Sequence, residues 1–245
     1  MSRGPRIAIA LAYGIANHAL FVVAIGVMVM ALHGGLGLGL GRLEGGAALA
    51  ANTLLALQFP LIHSFLLARR GRGVLARLAP RALGSALAPT TFAALASAQL
   101  LVTFLCWSPS GIVLFEATGG TRWVFEGLFA ASWLFLVKAL YDAGLPIQTG
   151  SIGWTAVLRG DRPDFGTFPT AGLFRICRQP VYLAFAATLW TGPVLTLDRL
   201  ALAVAWTAYC IVGPLHKERR YLSHYGNLYS NYRRSVPYIL PGFRP

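Results

Sequence analysis

Charge is scarce in this chain: Asp, Glu, Lys and Arg make up 12% of its 245 residues, about half the roughly 25% usual for a soluble domain. So low a fraction cannot clothe a globular surface of this size, which excludes a soluble enzyme. Hydrophobic residues make up 56% and mean hydropathy is +0.60, which excludes a disordered chain. Acidic residues are the scarcest charge, 8 against 21 basic ones, leaving a net +13. Cysteine is sparse as well. Cys106, Cys177 and Cys210 form no C-x-x-C or paired spacing, so no disulfide framework or thiolate zinc site is indicated. The five histidines (His18, His33, His63, His216, His224) contain no H-E-x-x-H and no i, i+4 pair on one helix, so no metal site is indicated either.

What the chain does have is long apolar runs, the mark of a multi-span membrane protein. A bilayer crossing takes roughly 20 mostly apolar residues. Ile7–Leu32, Ala47–Ala68, Ala82–Trp107 and Trp123–Tyr141 each supply one. The apolar stretch Val181–Leu215, broken at Leu197-Asp198-Arg199, is too long for one crossing and reads as two short spans forming a tight hairpin. The expected fold is therefore an all-α bundle of about six spans. Residues 1–141 form a four-span part and residues 142–245 a hairpin followed by a tail. The first span is longer than a signal-peptide h-region and lacks a clear cleavage site, so it reads as a permanent span.

The basic excess orients this bundle. Seventeen of the 21 basic residues fall on one side: Arg3 and Arg6; Arg69, Arg70, Arg72, Arg77 and Arg81; Arg159, Arg162, Arg175 and Arg178; Lys217, Arg219, Arg220, Arg233, Arg234 and Arg244. Arg42, Arg122 and Arg199 fall on the other, and Lys138 lies within a span. The positive-inside rule then puts both termini in the cytoplasm. It also accounts for the charge without nucleic acid, whose binding would interleave basic residues with stacking aromatics on a soluble domain. The lipid bilayer is the expected partner, and oligomeric state is not legible.

Polar side chains at membrane depth are expensive and mark functional candidates. Gln58 and His63 flank Pro60 in the second span. They serve either a substrate cavity or hydrogen bonds between neighbouring helices. Lys138 lies about one turn from the end of the fourth span, within reach of the interface and of Asp142 at i+4. The densest chemistry is C-terminal. The hairpin returns Arg178 and Gln179 to the same membrane face as Glu218 and the Tyr-rich tail, where Gly226 and Pro237 are turn residues. Such a cluster is either an interfacial belt of Tyr and Arg or a roofed site for a polar, charged cofactor.

The order of these residues carries a resemblance. Arg178-Gln179-Pro180-Val181-Tyr182-Leu183-Ala184, then Glu218 eight residues before Gly226, then Tyr229, Tyr232-Arg233 and Val236-Pro237 closely resemble the C-terminal cofactor-binding part of the isoprenylcysteine carboxyl methyltransferase superfamily. Its pattern there is R-H-P-x-Y-x-G, E-E and G-x-x-Y-x-x-Y…V-P. Ala12-Tyr13-Gly14, Leu57-Gln58, the run from His63 to Arg69 and Trp107-Ser108-Pro109 extend the likeness toward the methanethiol S-methyltransferase and NnrU-like branch. It is strong from Phe174 to Pro241 and diffuse before.

The resemblance implies an enzyme of a bacterial inner membrane that transfers a methyl group from S-adenosyl-L-methionine to a small or lipophilic thiol, methanethiol among them. It implies that Arg178, Gln179, Pro180, Tyr182, Glu218, Tyr229, Tyr232 and Arg233 hold the cofactor, with Arg178 and Glu218 catalytic. Arg would pair with the cofactor carboxylate, Glu218 would bond the ribose or amino group, and the tyrosines would roof the site. Gln58 and His63 are the substrate-binding candidates. The chain departs from the pattern at Gln179 (His in the family), Ala184 (Gly) and Lys217 (the first Glu). Gln cannot titrate, Ala adds a methyl group, and Lys reverses a charge. Related folds bind nicotinamide (sterol reductases) or haem (a carotenoid isomerase, with His63 or His18 as axial ligand), and the departures also fit a non-catalytic assembly factor.

Overall fold

A computed structural model describes residues 2–80 and 82–240 of the chain. Arg81 and Arg244 of the charge pattern, and Pro241 at the end of the motif, lie outside the described residues. In chain order the elements are α1 (Arg3–His33), α2 (Gly45–Leu67), α3 (Arg69–Leu78), α4 (Gly84–Cys106), β1 (Val113–Glu116), α5 (Gly119–Asp142), α6 (Leu145–Gln148), α7 (Ser151–Arg159), α8 (Pro180–Trp190), β2 (Val194–Thr196), α9 (Leu197–Tyr225) and α10 (Asn227–Ser235). The protein is an all-α polytopic membrane protein. Five helices, α1, α2, α4, α5 and α9, are long and apolar enough to cross a bilayer.

The expected last pair of spans is corrected. α8 has 11 residues, about 16 Å of rise, well short of a hydrocarbon core of about 30 Å. α9 has 29. The two still form a hairpin: rings pair at Tyr182–Tyr209 and Phe185–Trp206, and Arg199 reaches back to Leu189, so the helices run antiparallel. Leu197-Asp198-Arg199 is the first turn of α9 rather than the break. Thr196 caps it by accepting from the Arg199 amide at 3.1 Å, and an acid in a first turn suits the positive helix end. Asp198 accepts from the Ser110 amide at 2.8 Å and its hydroxyl at 2.6 Å. Arg199, 1% exposed, folds back onto the Leu189 and Val194 carbonyls at 3.0 and 2.7 Å, complementing the negative C-terminus of α8.

Two compact units share the chain. The first holds residues 1–31, 38–109 and 145–166. Its helices are cross-tied by polar side chains. Asn52 donates to the Ser108 carbonyl at 2.8 Å and accepts from its amide at 3.0 Å, closing the end of α4. Gln58 and Gln99 exchange amide bonds between α2 and α4, with Gln58 also donating to Thr103 at 2.8 Å. The Gly-rich tract after α1 lies flat on the end of α4. A Cβ at Gly39 would meet the Trp107 carbonyl at 2.2 Å, so only glycine fits. α7 is held through Thr90, whose hydroxyl donates to the Gly150 carbonyl and accepts from the Trp154 amide. α3 is amphipathic, burying Gly71 and Leu75 while its arginines stay exposed.

The second unit holds residues 32–37, 110–144 and 167 to the C-terminus. β1 and β2 pair antiparallel, Val113 opposite Thr196 and Glu116 opposite Val194. α5 packs on α8 through Leu136, Ala139 and Ala184, the two alanines being small residues that let helices approach closely. Lys138 pairs with Asp142 at i+4 as the spacing suggests, with the Lys side chain exposed and the Asp side chain buried. Asp142 also accepts from the Leu173 amide at 2.8 Å, which anchors the 3-10 turn Gly172–Arg175 to the end of α5. Gly226, at φ +52°, ends α9 and lets α10 fold back on it.

Candidate functional site

The site is built at the far end of α9. A core of about 30 Å is crossed in about 20 residues, so a helix entering at Leu197 carries Lys217 and Glu218 to the opposite boundary. There the start of α8, the end of α9 and α10 converge. Glu218 is 3% exposed and is the hub. Its carboxylate accepts from Arg178 Nε at 2.8 Å and Nη2 at 3.3 Å, and from Gln179 Nε2 at 2.9 Å. Arg233 Nε lies 3.7 Å away as a second, half-exposed cation. A buried carboxylate persists only when paired and hydrogen-bonded in this way.

Arg178, 4% exposed, is a latch for the tail. Nη1 donates to the carbonyls of Arg233 and Val236, its backbone amide donates to the Pro237 carbonyl at 2.9 Å, and the guanidinium lies 5.5 Å from the Tyr238 ring centre. Tyr238 in turn donates to the Ile211 carbonyl at 2.7 Å, one turn before Pro214 in α9. The segment after α10 is thereby stitched to α8 and α9. Pro180 is the first residue of α8, where its missing amide costs nothing.

Around this pair stands an aromatic chamber. Phe168 is the centre, its ring 5.0 to 5.9 Å from those of Tyr221, Tyr225, Tyr229 and Tyr232. Tyr232 donates to the Phe174 carbonyl at 2.7 Å, tying α10 to the turn anchored by Asp142. Lys217 Nζ lies 5.5 Å from the Tyr182 ring centre and 5.7 Å from that of Tyr221, within cation–π range. Phe168, Phe174, Arg178, Lys217, Tyr221, Tyr229 and Tyr232 line a cavity of about 10 Å³, room for about one water. Burial first, and the Glu218 carboxylate second, raise the Tyr229 hydroxyl far above the ordinary tyrosine range. Burial does the same for Tyr232 and Tyr238, so all three are neutral donors at physiological pH. Burial also raises the Cys177 thiol, keeping it protonated beside the site.

Arg178, Gln179, Glu218, Tyr229, Tyr232 and Arg233 thus come together, and Tyr182 joins through Lys217. Gln58 and His63 belong to the first unit. Gln58 is engaged with Gln99 and Thr103, and the His63 ring lies 5.0 Å from Phe59 and 4.8 Å from Phe92. His18 accepts from the Trp154 indole at 3.2 Å. Of the three departures from the family pattern, Ala184 lies in the α5–α8 packing, Gln179 is a donor to Glu218 with its own Oε1 buried and without a partner among the described residues, and Lys217 lines the chamber. Phe168, Phe174, Tyr221 and Tyr238 have no counterpart in the sequence reading of the site. Phe168 sits in a polar connection without periodicity, and Tyr221 is one of several tyrosines in the tail with nothing in its spacing to distinguish it.

No family model matches the chain, and no solved structure matches it. Among curated proteins it is similar to methanethiol S-methyltransferase 2 of Bradyrhizobium diazoefficiens, 29% identical over 196 residues, covering 80% of this chain and 74% of that protein. The methanethiol S-methyltransferase of Mycobacterium tuberculosis is 28% identical over 199 residues, 80% of this chain and 79% of that protein. That of Pseudomonas deceptionensis is 26% identical over 199 residues, 80% and 74% of the two chains. The resemblance borne by the C-terminal motif therefore extends along most of the length.

Proposed function

We propose that this protein is an integral membrane methyltransferase that moves a methyl group from S-adenosyl-L-methionine to a small or lipophilic thiol of the methanethiol type. The observation that carries the reading is the convergence of Arg178, Gln179 and Arg233 on the buried Glu218 carboxylate, beside a cation-bearing chamber walled by the tail tyrosines. The similarity to methanethiol S-methyltransferases supports it. The one-sided distribution of arginine supports a reading in which both termini face the cytoplasm, and the similarity to bacterial methanethiol S-methyltransferases supports a bacterial inner membrane.

The residues present fit the methyl donor. Tyrosine faces suit an adenine ring and a sulfonium cation. The buried Gln179 Oε1, without a partner among the described residues, is an acceptor that a ligand donor would satisfy, and Lys217 supplies positive charge. The volume fits only after rearrangement, because a ligand pocket takes at least about 300 Å³ and the chamber holds about 10 Å³. Phe168 occupies the space among the tyrosines, so loading displaces its ring. When bound, S-adenosyl-L-methionine supplies an electrophilic methyl group on a positively charged sulfur. The chain supplies position: in-line placement of two reactants is worth about 7–11 kcal/mol of barrier, and a water-poor aromatic chamber leaves an incoming thiolate poorly solvated and reactive. Tyr229 and Tyr232 keep their protons and act as neutral hydrogen-bond donors, not as bases. Arg178 and Glu218 hold the roof.

Titration of detergent-purified protein with S-adenosylhomocysteine tests the reading. Saturable binding is expected, and absence of binding at millimolar ligand overturns it.

A further inference from the structure

We propose that Lys217, rather than Arg178, is the cation that receives the amino-acid carboxylate of the methyl donor, an assignment that rests on the function proposed above. Arg178 has four of its five N–H groups committed, two to Glu218 and two to the carbonyls of Arg233 and Val236. It cannot turn to a ligand without releasing the tail. Lys217 is in the opposite situation. It lines the chamber with its ammonium set against the Tyr182 and Tyr221 rings, and among the described residues no hydrogen bond or ion pair is formed by it.

The adjacent carboxylate offers it no partner to spare, since Glu218 already accepts from Arg178 and Gln179 and faces Arg233. Charge within the chamber therefore does not balance. Arg178 and Glu218 neutralise each other, and Lys217 is left as a partly desolvated ammonium set against two π faces, with Glu218 acting on it through space and not as a hydrogen-bond partner. Such a group gains from an entering anion. The reversed charge at Lys217, which alone of the three departures from the family pattern is among the residues lining the cavity, thereby acquires a role: with the arginine consumed in holding the tail, the neighbouring position carries the anion-binding charge.

The test uses detergent-purified protein and two probes by calorimetry. One is S-adenosylhomocysteine. The other is its decarboxylated analogue S-adenosyl-3-thiopropylamine, which keeps nucleoside, sulfur and amine. Wild type is expected to prefer the first by about 10- to 100-fold, the worth of one hydrogen bond to a charged group. Lys217→Gln should erase that preference while its affinity for the analogue stays at the wild-type value, and Lys217→Arg should retain the preference. Lys217→Met, which keeps the alkyl stem between the two rings, should repeat the Gln result. Wild-type affinity of Lys217→Gln for S-adenosylhomocysteine, or equal weakening of both probes, overturns the assignment. A wild type that binds S-adenosylhomocysteine without favouring it over the analogue overturns the assignment alone, whereas a wild type that binds neither probe overturns the proposed function with it.

Discussion

Arg178 and Glu218, 40 residues apart in sequence, form a buried ion pair at 2.8 Å whose remaining donors hold the main chain of the tail. The pair is at once the floor of the chamber and the fastening of its roof. Replacing Glu218 by Gln leaves the Arg178 guanidinium buried without its counter-charge, which costs about 3–5 kcal/mol. The expected outcome is a lower thermal midpoint and faster hydrogen exchange over residues 227–240, with α2 and α4 unchanged. Unchanged exchange in the tail would show that Arg178 does not hold it.

Phe168 sits where the methyl donor is expected. Phe168→Ala removes a buried ring, at about 3–5 kcal/mol of stability, and at the same time removes the group that loading must displace. The variant should be less stable yet bind S-adenosylhomocysteine more tightly than wild type in a direct titration. Weaker binding would mean that the Phe168 ring contributes to the ligand site instead of closing it.

Ala184 tests the packing assignment. Its side chain, fully buried against Leu136 and Ala139, has no part in lining the chamber. Ala184→Gly should lower stability by about 1 kcal/mol, the helix cost of glycine, and Ala184→Leu by about 1–3 kcal/mol through overpacking. Ligand affinity should be little changed in the Gly variant. A marked gain in affinity for Ala184→Gly would restore this position to the ligand site.

The fold was legible where physical constraints are strict. Four spans agree with their helices to within a few residues because lipid demands uninterrupted apolar length. The hairpin was misdivided because Asp198 and Arg199 look like a break in a hydropathy profile. They are in fact engaged locally, Asp198 by Ser110 and Arg199 by the carbonyls of Leu189 near the end of α8 and Val194 at the start of β2. In the candidate site, Arg178, Gln179 and Glu218 were singled out because their spacing resembles a motif. Their proximity followed from the hairpin that joins them, but that Arg178 spends its donors on Glu218 and on the main chain of the tail did not, because a hairpin sets which segments meet and not which atoms pair. Phe168 was invisible because a lone aromatic in a polar connection carries no periodic signal, and its place is set by the tyrosines that surround it.

Cysteine reactivity reports on burial at the site. Cys106 is exposed, whereas Cys177 is buried and its thiol is raised above the ordinary range by desolvation. Only thiolate is nucleophilic, and a raised pKa means less thiolate at any given pH. At pH 7.5 a maleimide should therefore modify Cys106 first and Cys177 slowly, and the rate at Cys177 should climb only above the usual thiol range. In Glu218→Gln, where the roof loosens, Cys177 labelling should accelerate. Equal rates at Cys106 and Cys177 in wild type would contradict the closed site.

The most direct measurement is transfer of isotopic label from methyl-labelled S-adenosyl-L-methionine to methanethiol by the purified protein in lipid nanodiscs, with labelled dimethyl sulfide collected from the headspace. The account predicts time-dependent label in the thioether, inhibited by S-adenosylhomocysteine and lost in Lys217→Gln at low donor concentration. Saturable binding of S-adenosylhomocysteine with no label transferred to methanethiol or to longer-chain thiols would contradict it.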